Sequence, residues 1–269
     1  MHDIQIDGRQ RTAPDCWNAL TRKELLTVVR LLYSPTRTKM DLRLRLLCVV
    51  LALPLPRLLA FTEVQLAQLL WLTDFIFAGN ELTKQLLPSV QLLWSKGPAR
   101  TYFGPRDSLR NVRFAEFIFA DSYFVRYTQQ PTPELLNKLV AVLYRPQRRN
   151  YNPHSSEYAG DRREDFNEHL IEHRSRHLAR LPDKTKLAVF VWYAGCREQM
   201  AHLYPLVFTP QTQEEASEKG WDYVLREMSG GAFGTVESTG RQNLHMVLAK
   251  MQDDLEAAER IREQQRNQS

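Results

Sequence analysis

A chain of 269 residues, 43% of them hydrophobic and 25% charged, is long enough to bury a sizeable core as one large domain or two smaller ones. Its net charge of +5 is unevenly spread, because residues 1–150 hold 21 Lys and Arg against 12 Asp and Glu while residues 151–269 hold 15 against 19; the basic half would suit a polyanion, or a head-to-tail contact with another copy. There is no charged-then-apolar leader, the longest apolar run (46–56) is too short for a bilayer, and Cys16, Cys48 and Cys196 form no C-x-x-C pair, so the expectation is a protein of a reducing cytoplasm with no membrane contact and no cofactor.

Helix signals recur along the chain. Thr21-x-x-Glu24 is a capping box ahead of Leu25, Val28, Val29 and Leu32, and Thr62-x-x-Gln65 is another ahead of Leu66, Leu69 and Leu70. Between them, 38–53 is long enough for a buried helix, although the alternation in "DLRLRL" would also suit a strand. Two Gly-Pro pairs in 97–107 mark a loop or short irregular strand and a boundary, giving an N-terminal helical subdomain (1–100) and a C-terminal helical domain (111–269).

In the second part, Phe114, Phe117, Ile118, Phe124 and Val125 form an apolar stripe that also contains Asp121. A carboxylate there needs a partner, and Arg162 or Arg163 is the preferred one. Thr132-Pro133 opens a helix with Leu136, Leu139 and Leu143. The polar, basic segment 145–160 is expected to be a mobile loop, with Arg145, Arg148 and Arg149 as contact residues. Asp161-x-x-Glu164 is expected to cap the next helix, which carries "HLIEHRSRH" (169–177).

His169, Glu172 and His173 fit the H-x-x-E-H pattern of a zinc peptidase, making the two histidines the metal-ligand candidates. His177 lies about 12 Å along a helix axis from His169, too far for all three to share one ion, so the third ligand has to come from elsewhere. A solvated helix face is preferred, with no metal.

Residues 181–208 suggest one central buried helix, with Cys196 as packing rather than nucleophile. Trp221, Val224, Leu225 and Met228 follow helical spacing, and the glycines of "SGGAFGT" (229–235) make a turn rather than a phosphate loop. A terminal amphipathic helix, 242–262, bears Leu244, Val247, Leu248, Met251 and Leu255, then frays into a polar tail. The expected fold is mainly α, an irregular multi-helix bundle with a few short strands or irregular segments near 90–110.

Three blocks, 114–146 ("FAEFIFADSYFVRY…LLNKLVAVLYRP"), 160–200 ("GDRREDFNEHLIEHR…LPDKTKLAVFVWYAGCREQM") and 220–251 ("GWDYVLREMSGGAFGTVESTGRQNLHMVLAKM"), resemble small proteins of tailed phages and prophages of the Bacteroidetes, encoded near the tape-measure gene. The resemblance spans about the last 155 residues and contains no catalytic motif. It implies a non-enzymatic tail-assembly or virion structural protein, held in the bacterial cytoplasm or the particle and contacting other phage proteins or itself. Arg145, Arg148, Arg149, Leu244, Leu248, Met251 and Leu255 are then the interaction candidates, and Asp121, Arg162 and Trp221 the structural ones. The alternatives are a metal-dependent hydrolase at 169–173 and a nucleic-acid-binding protein using Arg100, Arg106, Arg110, Arg113, Arg145, Arg148 and Arg149. The second is disfavoured because no aromatic residues interleave the basic ones along the chain.

Overall fold

The computed structural model describes residues 1–6, 8–34, 38–94, 97–155, 160–209, 221–231 and 233–268. The fold is mainly α. In chain order come β1 (His2–Ile6), β2 (Arg9–Ala13), α1 (Arg22–Leu32), α2 (Lys39–Val50), α3 (Leu55–Leu58), α4 (Glu63–Leu69), α5 (Phe75–Ala78), β3 (Ser89–Trp94), β4 (Gly97–Phe103) and α6 (Phe114–Gln129). They are followed by α7 (Pro133–Leu143), β5 (Arg145–Pro146), α8 (Ile171–Leu178), α9 (Asp183–Leu203), α10 (Trp221–Met228), α11 (Val236–Gly240) and α12 (Leu244–Asn267). Among the described residues no helix is long and apolar enough to cross a membrane. Packing groups Met1–Leu87 with Pro182–Cys196, and Pro88–Leu181 with Arg197–Ser269.

The first unit begins with an antiparallel hairpin in which Ile6 pairs with Arg9 and His2 with Ala13. Gly8 takes φ 72°, the left-handed conformation that favours glycine. Asp7-Gly8 between two short alternating runs is the sequence signal for this hairpin, which the helix-centred reading passed over. Both capping boxes form: Thr21 accepts from the Glu24 N–H and Thr62 from the Gln65 N–H. Segment 39–50 is helical, with Leu46, Leu47 and Val50 buried, so length outweighs the strand-like alternation. Residues 183–196 of α9 supply Ala188, Val189, Trp192 and Tyr193 to this core. Asn80 donates to the Val191 carbonyl at 2.6 Å, and Trp192 Nε1 to the Thr83 carbonyl at 3.1 Å. A Cβ on Gly195 would lie 2.5 Å from the Leu82 carbonyl oxygen, so only glycine lets the two backbones approach so closely.

The second unit contains the antiparallel sheet β3-β4-β5. On α6, Phe114, Phe117, Ile118 and Phe124 are buried as their spacing predicts. Thr132 caps α7, and Leu136, Leu139 and Leu143 are buried. A short antiparallel bridge, Arg113 to Asn243, fastens the start of α12 to the start of α6: Phe114 N–H donates to Gln242 O and Leu244 N–H to Val112 O.

Three expectations are corrected in this unit. Segment 145–160 does not begin as a loop: Arg145–Pro146 pairs with β4, Gln147 bridges to Arg163, and Arg148 N–H donates to Arg162 O; residues 156–159 lie outside the described residues. Asp161 does not cap a helix. Its stretch is extended, a 3-10 turn spans Glu168–Leu170, and Asn167 supplies the cap by accepting from the His169 N–H. The polar tail does not fray after 262 but stays helical to Asn267. Ion pairs one turn apart (Lys250 with Asp254, Arg260 with Glu256) support it as a solvated helix.

Candidate functional site

Beneath the surface of the second unit lies a cluster of four charged side chains: Glu116 from the first turn of α6, Arg145 of β5, and Asp161 and Arg163 from the extended stretch. Arg163 Nη1 donates to Glu116 Oε1 at 2.6 Å and to the Leu143 carbonyl at 2.9 Å, while its Nε and Nη2 reach Asp161 at 3.0 and 2.9 Å. Arg145 Nη1 sits 2.9 Å from Glu116 Oε1, and its Nε donates to the Glu164 carbonyl at 2.7 Å. Two guanidinium groups therefore face two carboxylates with no net charge left over. Burial works against the charge of Arg163, but Glu116 and Asp161 outweigh it and raise its pKa. For Arg145, burial wins despite Glu116, and the pKa is lowered. Burial also opposes the charge of Asp161, but Arg163 overcomes it and holds this carboxyl below its ordinary range.

The cluster corrects the placement of Arg145. It follows directly on the buried residues Leu143 and Tyr144, its guanidinium turns inward with them, and it offers nothing to a partner. Arg148 and Arg149 do reach the surface, Arg148 Nη2 meeting Asp165 at 3.2 Å.

Above the cluster opens a cleft of about 620 Å³. One wall is the chain from Asp165 to His169, the other is formed by α10 and α11, and Arg113 and Ala115 at the start of α6 complete the lining. Phe166, Leu225 and Val236 provide its apolar lining. Charges surround them in pairs: Arg113 with Asp165 at 3.3 Å, and Arg241 with Glu237 at 2.6 Å. Behind Phe166 stands the Arg145 guanidinium, 5.9 Å from the ring centroid, so the buried cluster also backs the cleft wall. A Cβ on Gly240 would come within 3.2 Å of the Ala115 methyl, which shows how closely α11 is laid on α6.

The other singled-out residues are dispersed. Asp121 is buried as expected, but its partners are Arg197 Nε at 2.7 Å and Trp221 Nε1 at 2.9 Å, not Arg162 or Arg163. Arg163 is taken up by Glu116 and Asp161, and Arg162 stacks on Phe103. Trp221 is core, with Phe117 edge-on to it at 5.1 Å. Leu244, Leu248 and Met251 are also core, which corrects their assignment as contact residues; Leu255 is half-buried.

The expected histidine row is broken as well, because His169 sits in the 3-10 turn with a side chain 86% exposed, while the His173 ring meets His177 at 4.5 Å. Burial and the neighbouring His173 push the His177 pKa below its ordinary value. Among the described residues no group of three or more His, Cys, Asp or Glu side chains is placed to hold a metal ion.

No family model, curated protein or solved structure matches this chain. Of the residues lining the cleft, Phe166, Leu225, Val236, Glu237 and Arg241 were not singled out as contact residues. Leu225 reads as part of a core stripe and 236–241 as the aftermath of a turn, and nothing local tells that these would face Phe166.

Proposed function

We propose that the protein works by binding other proteins during assembly of a phage tail, without catalysing a reaction, as the small tail-assembly and structural proteins it resembles are held to do. The observation that carries the reading is the composition of the cleft: apolar Phe166, Leu225 and Val236 within a rim of both charge signs (Arg113, Arg241, Asp165, Glu168, Glu237), the anatomy of a protein–protein contact. Arg148, which pairs with Asp165 of the cleft wall, and the exposed Arg149 beside it in sequence are the further contact residues. The bacterial cytoplasm and the assembled particle are where such a protein acts.

Co-expression with the proteins encoded on either side of its gene, followed by size-exclusion chromatography, tests this. A stable complex is expected with one of them, and Leu225→Arg with Val236→Arg should abolish it while leaving the melting temperature within a few degrees. If no neighbour is retained, or if the double variant binds as well as the parent, the reading fails.

A further inference from the structure

The fold of the second unit assembles something that is absent from the linear sequence, an aromatic and guanidinium stack inside a basic patch. The Arg162 guanidinium lies 3.8 Å from the centroid of the Phe103 ring on β4 and 5.1 Å from that of Tyr151. Its Nη2 donates to Gln147 Oε1 at 2.7 Å, and its carbonyl accepts from the Arg148 N–H at 3.0 Å, so the plane of the stack is held by the sheet rather than by a free side chain. Phe103 and Tyr151 are half-buried and Arg162 is exposed. The Arg106 guanidinium lies beside Gly160, two residues before Arg162, where an added Cβ would be 3.5 Å from its Nη1. Arg149, next to Arg148, is exposed. Asp161 is buried against Arg163, and the half-exposed Glu164 is paired with Arg174 at 2.7 Å, so both carboxylates already have a guanidinium partner. Arg106, Arg148, Arg149 and Arg162 thus outnumber Asp107, Glu157 and Asp165, the remaining acids of these segments.

We infer that this surface binds single-stranded nucleic acid, with phosphates on Arg106, Arg149 and Arg162 and a base stacked against the layer made by Arg162 and Tyr151. Guanidinium groups alone would accept any polyanion, but rings and a planar guanidinium side by side offer a stacking platform, and every unpaired base has a π-face to lay on it. In a duplex those faces are already stacked on one another. An acidic peptide would use the arginines and leave the platform idle. The inference does not rest on the protein-binding reading, since neither ring belongs to the cleft.

Fluorescence anisotropy of the full chain with a labelled 15-nucleotide oligo-dT, a matching oligo-U, a blunt duplex of the same length, and polyglutamate provides the test. Binding to both single strands should be tighter than to the duplex or polyglutamate. About three phosphate contacts should weaken it roughly 20-fold between 50 and 200 mM salt. Arg106→Ala with Arg149→Ala should remove most of that salt dependence, whereas Tyr151→Ala should cost roughly tenfold in affinity with the salt dependence kept. Tyr151→Phe, which keeps the ring, should bind like the parent and guards against a mere folding defect. Equal binding of polyglutamate, indifference to Tyr151→Ala, or no binding at 50 mM salt would each overturn the inference.

Discussion

Asp121 shows what a single buried charge demands. Its two oxygens accept from a guanidinium on α9 and from the indole N–H of Trp221. Asp121→Ala should lower stability by about 3 kcal/mol, read by urea denaturation, because the indole N–H and a partly buried guanidinium lose their acceptor together. A loss below about 0.5 kcal/mol would mean that water substitutes for the carboxylate. In the four-charge cluster the consequence is a pH dependence. The folded-state pKa of Asp161 lies below its unfolded value of about 3.9, so the stability it contributes is complete above the unfolded pKa and is lost as pH falls through the folded one. Denaturation followed from pH 7 to pH 2 should therefore show a steep acid limb below about pH 4. Asp161→Asn should flatten that limb and lower stability at pH 7.

The elements differ in how much of each is core. In α12, Leu244, Val247, Leu248 and Met251 are buried, while the part after Ala258 is solvated on all sides. Deleting residues 259–269 should leave the melting temperature within about 2 °C, but deleting 244–269 should unfold the second unit, because three fully buried side chains leave with it. Circular dichroism separates the two outcomes, and equal effects from both deletions would contradict this division. In α9 the sensitive point is Gly195. Gly195→Ala should cost at least about 2 kcal/mol, since the added methyl meets the backbone of Leu82 rather than a side chain that can rotate away. Both effects arise from packing that no propensity scale contains. Within a single helix Gly195 reads only as a weak former, and the terminal stripe reads as uniformly apolar from 244 to 258.

At the scale of the molecule, the first unit is discontinuous in sequence. Residues 1–87 expressed alone should lack a cooperative thermal transition, because the part of α9 that carries Ala188, Val189, Trp192 and Tyr193 is missing from their core. A sharp two-state melt of that fragment would show those contacts to be dispensable.

The same scale separates what was legible in the sequence from what was not. The helical class, the capping boxes at Thr21 and Thr62, the stripe on α6 and the burial of Asp121 were all readable, because each depends on residues within a few positions of one another, where spacing maps directly onto a helix face or an end. The identity of each charge's partner was not. Asp121 finds its ligands 76 and 100 residues away, Arg163 finds Glu116 47 residues away, and Phe103, Tyr151 and Arg162 come from three separate segments. Composition says that a buried carboxylate needs a cation and that a chain with 36 Lys and Arg will expose many of them. Which guanidinium goes inward, as Arg145 does, and which lies on a ring, as Arg162 does, is decided by how strands and helices separated by tens of residues are laid against each other, since a side chain's electrostatic energy depends on its surroundings and not on its neighbours in sequence.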